Sequence, residues 1–166
     1  AFGPETIPAG LEGSKIFMKD ICSKYNIPTA AYKSFTEKKL ACEYLKNHTF
    51  PVVIKASGLA AGKGVTIATS LNDGLLAVND IFNDKFGSGC ELVIEEFMDG
   101  EEASYFVFTD GTNYIPLSSA QDHKRIGDGD TGPNTGGMGA YSPAPVFTKE
   151  IQKQVDQEMI EPTLKA

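Results

Sequence analysis

The feature that most constrains this chain is Ser57-Gly58-Leu59-Ala60-Ala61-Gly62-Lys63-Gly64, a glycine-rich loop set between two β-branched runs, Val52-Val53-Ile54 and Val65-Thr66-Ile67-Ala68. Strand, loop and strand follow one another directly, with Lys55 ending the first strand and Lys63 inside the loop. Lacking Cβ atoms, Gly58, Gly62 and Gly64 allow backbone amides to turn inward against phosphate oxygens, and lysine adds a compact positive charge. A Walker A loop is excluded. That motif needs four residues between its glycines, a hydroxyl after its lysine and a helix beyond; here three residues separate Gly58 from Gly62, and Lys63 is followed by Gly64 and then a strand. Two readings remain: a glycine flap over a phosphate chain, or a plain hairpin loop. Because glycine loses more freedom than other residues on ordering, the flap is expected to be mobile.

Periodicity places the other elements. Phe17, Ile21 and Tyr25 recur at i, i+4 and i+8 and predict a helix over 14–25, ending before Pro28. A strand is expected over 31–35, then a second helix opened by Thr36 and marked by Leu40, Tyr44 and Leu45. Ser70 with Asp73 three residues on is a capping-box signal for a helix carrying Leu75, Val78 and Phe82 and stopping near Gly87. Strands are expected over 92–97, 105–108 and 114–117, the last two joined by the turn Asp110-Gly111-Thr112-Asn113. Between Ser118 and Pro145 there is no period, and a loop of that length in a compact chain is either functional or disordered; its glycines and ionisable residues favour function. Ile151, Val155 and Met159 lie on a last helix that Pro162 ends or kinks. Irregular alternation of helices and strands gives the class α+β.

Composition excludes several classes. At 166 residues the chain fits one domain with a mobile lobe, and with 41% hydrophobic residues it can bury a core without a disulfide or structural metal. Cys22, Cys42 and Cys90 are odd in number and widely spaced, which suits idle thiols in a reducing compartment, the cytoplasm. The net charge of −7, without a block of Lys and Arg, argues against nucleic acid and anionic membranes. No apolar run is long enough for a membrane span or a signal segment, and no Met precedes Ala1, so the chain is read as a piece of a longer protein.

Three further constellations were weighed. Gly127-Asp128-Gly129-Asp130-Thr131-Gly132 matches G-x-G-x-x-G, but no strand is expected to lead in, Pro133 follows at once, and two carboxylates would face a pyrophosphate. It does not fit a calcium loop either, since Gly132 would take the third ligand position and no Glu closes it, so it is read as a polar turn. Glu95, Glu96, Glu101 and Glu102 surround the Asp99-Gly100 turn. Such a hinge can present backbone to an adenine edge and a carboxylate to ribose hydroxyls, or be a solvated acidic turn. Gln121-Asp122-His123-Lys124-Arg125 can converge on a charged small substrate, with His123 more readily structural or exposed than a base. No Ser/His/Asp triad and no His/Cys metal spacing is present.

Together these segments resemble the phosphoribosylamine–glycine ligase (glycinamide ribonucleotide synthetase) family of the ATP-grasp superfamily. The resemblance covers nearly the whole chain. It runs through Leu11-Glu12-Gly13-Ser14-Lys15, the stretch from Val53 to Gly64, Ile94-Glu95-Glu96-Phe97 with Asp99-Gly100-Glu101-Glu102, Gln121-Asp122-His123-Lys124-Arg125, and Gly132-Pro133-Asn134-Thr135-Gly136-Gly137-Met138-Gly139-Ala140-Tyr141-Ser142-Pro143. The two-lysine loop alone would indicate only the superfamily; the last two segments narrow it to this ligase.

The resemblance implies a partial ATP-grasp fold, with residues 1–27 and 95–166 in the core platform, a lid over 28–94, and a substrate loop over 118–145. It implies that ATP phosphorylates the carboxylate of glycine and that the amine of 5-phosphoribosylamine attacks the acyl phosphate, giving glycinamide ribonucleotide, ADP and phosphate. Lys15 and Lys55 would contact the ATP phosphates, Gly58, Gly62, Lys63 and Gly64 would close over them, Glu95, Glu96, Phe97 and Met98 would form the adenine hinge, and Glu102 would reach the ribose. Arg125 and Asn134 would lie on the nucleotide side, Asp122 and Gly136-Gly137 nearer the amine and glycine. Lys19 is read as solvated. The family's preceding lobe and its Glu and Asn magnesium ligands have no counterpart here, so Mg²⁺ or Mn²⁺ would be held by nucleotide and water, and the remainder of the parent enzyme is an expected partner. A stand-alone ATP-binding module and another ATP-grasp ligase or carboxylase are the competing readings.

Overall fold

The computed structural model describes residues 3–58, 64–83, 91–129 and 131–166. Its backbone forms two compact units, Ala1–Lys24 with Thr29–Met98 and Tyr25–Pro28 with Asp99–Ala166. In the first unit helices α1 (Thr6–Gly13) and α2 (Lys15–Tyr25) precede strand β1 (Tyr32–Phe35), helix α3 (Lys38–Lys46), strands β2 (Val52–Ala56) and β3 (Val65–Ala68), helix α4 (Leu71–Phe82) and strand β4 (Leu92–Glu96). The four strands make one antiparallel sheet in the order β1-β4-β2-β3.

Alternation along these strands sorts the side chains into two faces. Register places Phe35 opposite Leu92, Ile54 opposite Ile94, and Val52 between Glu96 and Ala68. Phe35, Val52, Ile54, Ala56, Ala68, Leu92 and Ile94 pack against Ala41 and Leu45 of α3 and Ala77, Val78 and Ile81 of α4. Burying a Leu or Ile side chain contributes roughly 1.5–3 kcal/mol, so this face supplies most of the unit's cohesion. The other face carries the rows Tyr32, Glu95, Val53, Ile67 and Ser34, Val93, Lys55, Val65.

The capping signal at α4 is realised: Asp73 N donates to Ser70 Oγ at 3.2 Å, and Thr69 Oγ1 donates to Asp73 Oδ2 at 2.9 Å. The helix ends at Phe82 with Asn83 as its cap, short of Gly87, which lies outside the described residues. Its buried stripe is Gly74, Ala77, Val78 and Ile81, with Leu75 and Phe82 only partly buried. Gly74 explains the offset. A Cβ there would come within 3.1 Å of Leu45 Cδ1, so the small residue is what lets α3 lie close. Glu37, rather than Thr36, caps α3. Helix α1 has no apolar stripe to announce it and buries no residue; its Pro8 falls in the first turn, where the missing N–H has no helical acceptor.

In the second unit β5 (Val107–Thr109) and β6 (Tyr114–Pro116) form a hairpin. Asp110 Oδ1 closes its turn by accepting from the amides of Thr112 and Asn113, with Gly111 at φ 89°. The stretch expected to lack regular structure contains two short ladders, β7 (Gln121–Asp122) with β10 (Ala140–Tyr141) and β8 (Arg125–Gly127) with β9 (Thr131–Asn134). Strands of two to four residues, mostly exposed, impose no apolar alternation that a sequence could display. A strand thus does lead into the Gly127–Gly132 segment, contrary to expectation, but a strand and not a helix leads out, so the exclusion of a dinucleotide site stands. The chain continues through α5 (Lys149–Val155), a π-helical turn (Asp156–Ile160) and α6 (Glu161–Lys165). Proline's ring conflicts with the carbonyl four residues back; here the amide of Glu161 bonds to Asp156 O, five residues back, and the widened turn carries the helix past Pro162.

Candidate functional site

The glycine loop begins where β2 ends. Ala56 N donates to Gly64 O at 2.8 Å and Ser57 N to Glu91 O at 2.7 Å, so both ends of the loop are tied to the sheet. Gly58 has φ 114°, a conformation that side-chain-bearing residues rarely adopt, and Gly64 is buried. Lys15 Nζ donates to Gly58 O at 2.9 Å, and Ile16 N reaches Ser57 Oγ at 3.4 Å. The first turn of α2 therefore sits at the loop's base. A lysine at the start of a helix faces the positive end of the macrodipole, an arrangement costing about 0.3–1 kcal/mol that an anion at the same place relieves. Gly62 and Lys63, and the expected mobility of the flap, fall on residues 59–63, outside the described residues.

One helical turn on, Lys19 corrects the sequence reading. It is 2% exposed rather than solvated. Its ammonium donates to Thr29 Oγ1 at 2.7 Å and Ala30 O at 3.1 Å, lies 3.4 Å from Glu95 Oε1, and stands 5.3 Å from the centre of the Tyr32 ring. Glu95 is itself 5% exposed, and its other oxygen accepts from Lys55 Nζ at 2.8 Å. Two cations thus hold one carboxylate on the face of the sheet away from the apolar core. Lys55 keeps 29% of its side-chain surface exposed, so the cluster opens to solvent only through that residue. Buried charges persist only when paired and hydrogen-bonded, as here; removing one partner of such a pair costs about 3–5 kcal/mol.

Beyond Glu95 the strand ends in Glu96, which is exposed and pinned to Ala31: Glu96 Oε1 accepts from Ala31 N, and Glu96 N donates to Ala31 O, both at 2.9 Å. Phe97 and Met98 follow at 37% and 67% exposure. Val65 and Ile67, also partly exposed, share the face of Lys55 and Glu95. This face can offer an apolar floor to a flat ring and a cation to a charged group at its end.

In the second unit Glu102 and Lys124 form an ion pair, and Asp122 Oδ1 lies 3.9 Å from the same ammonium. Hydrogen bonding to the Glu102 carboxylate raises the pKa of Lys124. Gln121 braces the pair, donating from Nε2 to Glu102 O at 3.0 Å while its Oε1 accepts from Tyr141 at 2.8 Å. Arg125 is paired through the backbone with Asn134, whose side chain lies outside what the structure describes. His123 packs its ring on Tyr141 at 5.5 Å and exchanges backbone bonds with Gly139 and Met138. Gly137, at φ 109°, passes close to Asp122: a Cβ would lie 3.9 Å from Oδ2. Among the described residues no group of three or more His, Cys, Asp or Glu is placed to hold a metal, so no magnesium cradle is assigned to them.

The structure thus gathers Lys15, Gly58 and Gly64 at the loop, Lys55 and Glu95 on the sheet, and Glu102 with Asp122 around Lys124. Sequence reasoning missed Lys19 and the linking part of Lys124. For Lys19 the four-residue spacing from Lys15 was the available signal, and for Lys124 its place inside Gln121-Asp122-His123-Lys124-Arg125.

Comparison with known proteins bears on this geometry. The family model described as phosphoribosylglycinamide synthetase, ATP-grasp (A) domain, matches residues 13–166. The chloroplastic phosphoribosylamine–glycine ligase of Arabidopsis thaliana is 61% identical over 166 residues, 99% of this chain and 31% of that protein. The Rhizobium meliloti phosphoribosylamine–glycine ligase is 57% identical over 165 residues, again 99% of this chain, and 39% of that protein. The crystal structure of the Thermotoga maritima phosphoribosylamine–glycine ligase superposes with a TM-score of 0.88 at 37% identity, covering 99% of this chain and 42% of that one. The chain spans about a third of the length of the curated relatives it matches. With a match over all but its first twelve residues, it has the ATP-grasp fold and belongs to the phosphoribosylglycinamide synthetase ATP-grasp (A) domain family.

Proposed function

We propose that the protein to which this chain belongs ligates glycine to 5-phosphoribosylamine at the expense of ATP. The observation that carries this reading is the 61% identity with a named phosphoribosylamine–glycine ligase over 99% of the chain. In the first step a glycine carboxylate oxygen attacks the γ-phosphorus and ADP leaves. In the second the amine nitrogen attacks the acyl carbon, phosphate leaves, the nitrogen gives up a proton, and glycinamide ribonucleotide results. Charge spreads over the transferring phosphoryl oxygens, so the chemistry asks for cations and positioning rather than a nucleophilic side chain.

In this reading residues 28–94 are the lid, and 95–166 the hinge and part of the platform, with the substrate loop at 118–145. Lys15 and Lys55 hold the ATP phosphates under the loop of Gly58, Gly62, Lys63 and Gly64. The adenine lies at Glu95, Glu96, Phe97 and Met98, and Glu102 serves the ribose. Arg125 and Asn134 act on the nucleotide side, Asp122 and Gly136-Gly137 toward glycine and the amine. A divalent cation, Mg²⁺ or Mn²⁺, would neutralise phosphate charge; with no cradle for it among the described residues, no step is routed through it. No described helix is long and apolar enough to cross a membrane. The free thiols of Cys22 and Cys42 support a reducing compartment, the cytoplasm or, as named for the Arabidopsis relative, the chloroplast.

Offering the complete protein ATP with 5-phosphoribosylamine, and either glycine or bicarbonate as phosphoryl acceptor, tests the reading. ADP release that requires glycine is expected. Release with bicarbonate and none with glycine would overturn it.

A further inference from the structure

Resting on the reading of Lys55 as a phosphate contact, we infer that Lys19 is a positioning residue that keeps the positive charge of Lys55 available to a phosphate. The problem it solves is visible on the sheet. Lys55 is hydrogen-bonded at 2.8 Å to Glu95, a carboxylate that is 5% exposed. An isolated pair of this kind is neutral, and in a poorly solvated place the carboxylate cancels much of the attraction that the lysine could exert on an anion. A second cation on the same carboxylate changes the sum. With Lys19 at 3.4 Å from Oε1, the three side chains carry two positive charges and one negative, and the excess charge lies on Lys55, the member open to solvent.

Geometry separates the roles of the two lysines. Lys19 is 2% exposed, with its ammonium engaged by Thr29 Oγ1 and Ala30 O besides Glu95, so it has no surface to offer a ligand. Glu95 presents one oxygen to each lysine, which fixes its carboxylate plane and with it the place of the Lys55 ammonium. Lys19 acts through Glu95 and touches no substrate.

The inference separates nucleotide charge from nucleotide shape. Calorimetric titration of the complete protein with β,γ-imido ATP and with adenosine should show Lys19→Met weakening the triphosphate by about tenfold or more while adenosine affinity stays within about twofold. In Lys19→Met/Glu95→Gln, one positive and one negative charge are removed together. Triphosphate affinity is then expected within about threefold of the parent. The double variant, which leaves no uncompensated buried carboxylate, decides the matter if the single one does not fold. Equal losses for both ligands in Lys19→Met, or a tenfold loss in the double variant, would overturn the inference. Lys55→Met distinguishes the two layers of argument. If it leaves triphosphate binding intact, the reading of Lys55 fails and the inference with it; if it weakens binding while Lys19→Met does not, only the inference fails.

Discussion

The two units are held together by different means. In the first, twelve residues from four strands and two helices form one buried apolar cluster, including Leu45, Val52, Ile54, Val78 and Leu92 at 0% exposure. In the second, the residues described after Asp99 include only Ser119 and Ala144 as buried, while Phe106, Phe108, Ile115 and Ile126 are each more than half exposed. Hydrogen bonds do there what burial does in the first unit. Ser119 Oγ accepts from Ala144 N at 3.2 Å, Ser119 O accepts from Ser142 Oγ at 2.8 Å, and Tyr105 donates to Asp156 at 2.9 Å. A sheet with helices on one face concentrates apolar area. Short ladders and turns spread polar contacts over the surface instead.

The contrast is sharpest if each unit is damaged at its own centre. Leu45→Ala empties the first unit's core and is expected to cost about 2–5 kcal/mol, read as faster hydrogen exchange for the amides of β2 and β4, with the β5–β6 hairpin unaffected. Exchange rising equally in both units would break the comparison. In the second unit Ser119→Ala leaves the buried Ala144 amide without its acceptor, an effect of about 1–3 kcal/mol. Its signature is a local rise in exchange at Ala144 with no change in β2 or β4. Protection lost throughout the first unit would show that the division of labour is wrong.

The smallest effect comes from acid. Hydrogen bonds from Ser70 and then Thr69 lower the pKa of Asp73 in the first unit, and backbone donation from Asn113 and then Thr112 lowers that of Asp110 in the second. A carboxylate with a lowered folded pKa contributes stability above its unfolded value of about 3.9, and that stability is lost as pH falls through the folded value. Carboxyl titration by NMR should therefore give midpoints below the usual aspartate range for both, with the α4 amides and the hairpin amides losing protection below about pH 4. Ordinary midpoints at both residues would remove this common element from two units otherwise built differently.

Legibility in the sequence follows the same divide. Helix α2, the β2–β3 pair, the cap of α4 and the β5–β6 turn were all readable, because each depends on residues within one or two turns of each other: Phe17 with Ile21 and Tyr25, Ser70 with Asp73, Asp110 with Asn113. The ladders β7–β10 and β8–β9 were not, because they are short and mostly exposed, and carry no apolar period. Helix α1, with no buried residue, escaped for the same reason. At the site, the glycine loop and its lysines declared themselves by composition, as did the carboxylates around Asp99-Gly100. The state of each charge did not.

By itself, then, the sequence determined the strand–loop–strand that carries Lys55, the α+β class, and the family to which the chain belongs, since these rest on local pattern and residue identity along one chain. Only the tertiary structure decided that Lys19 is buried, that Glu95 is shared between Lys19 and Lys55, and that Lys124 joins Glu102 to Asp122. The physical reason is distance along the chain. Lys19 and Glu95, seventy-six residues apart, meet because α2 supplies one side chain and the register of β1, β4 and β2 supplies the other, and no local preference encodes which way a lysine turns when both solvent and a buried carboxylate are open to it.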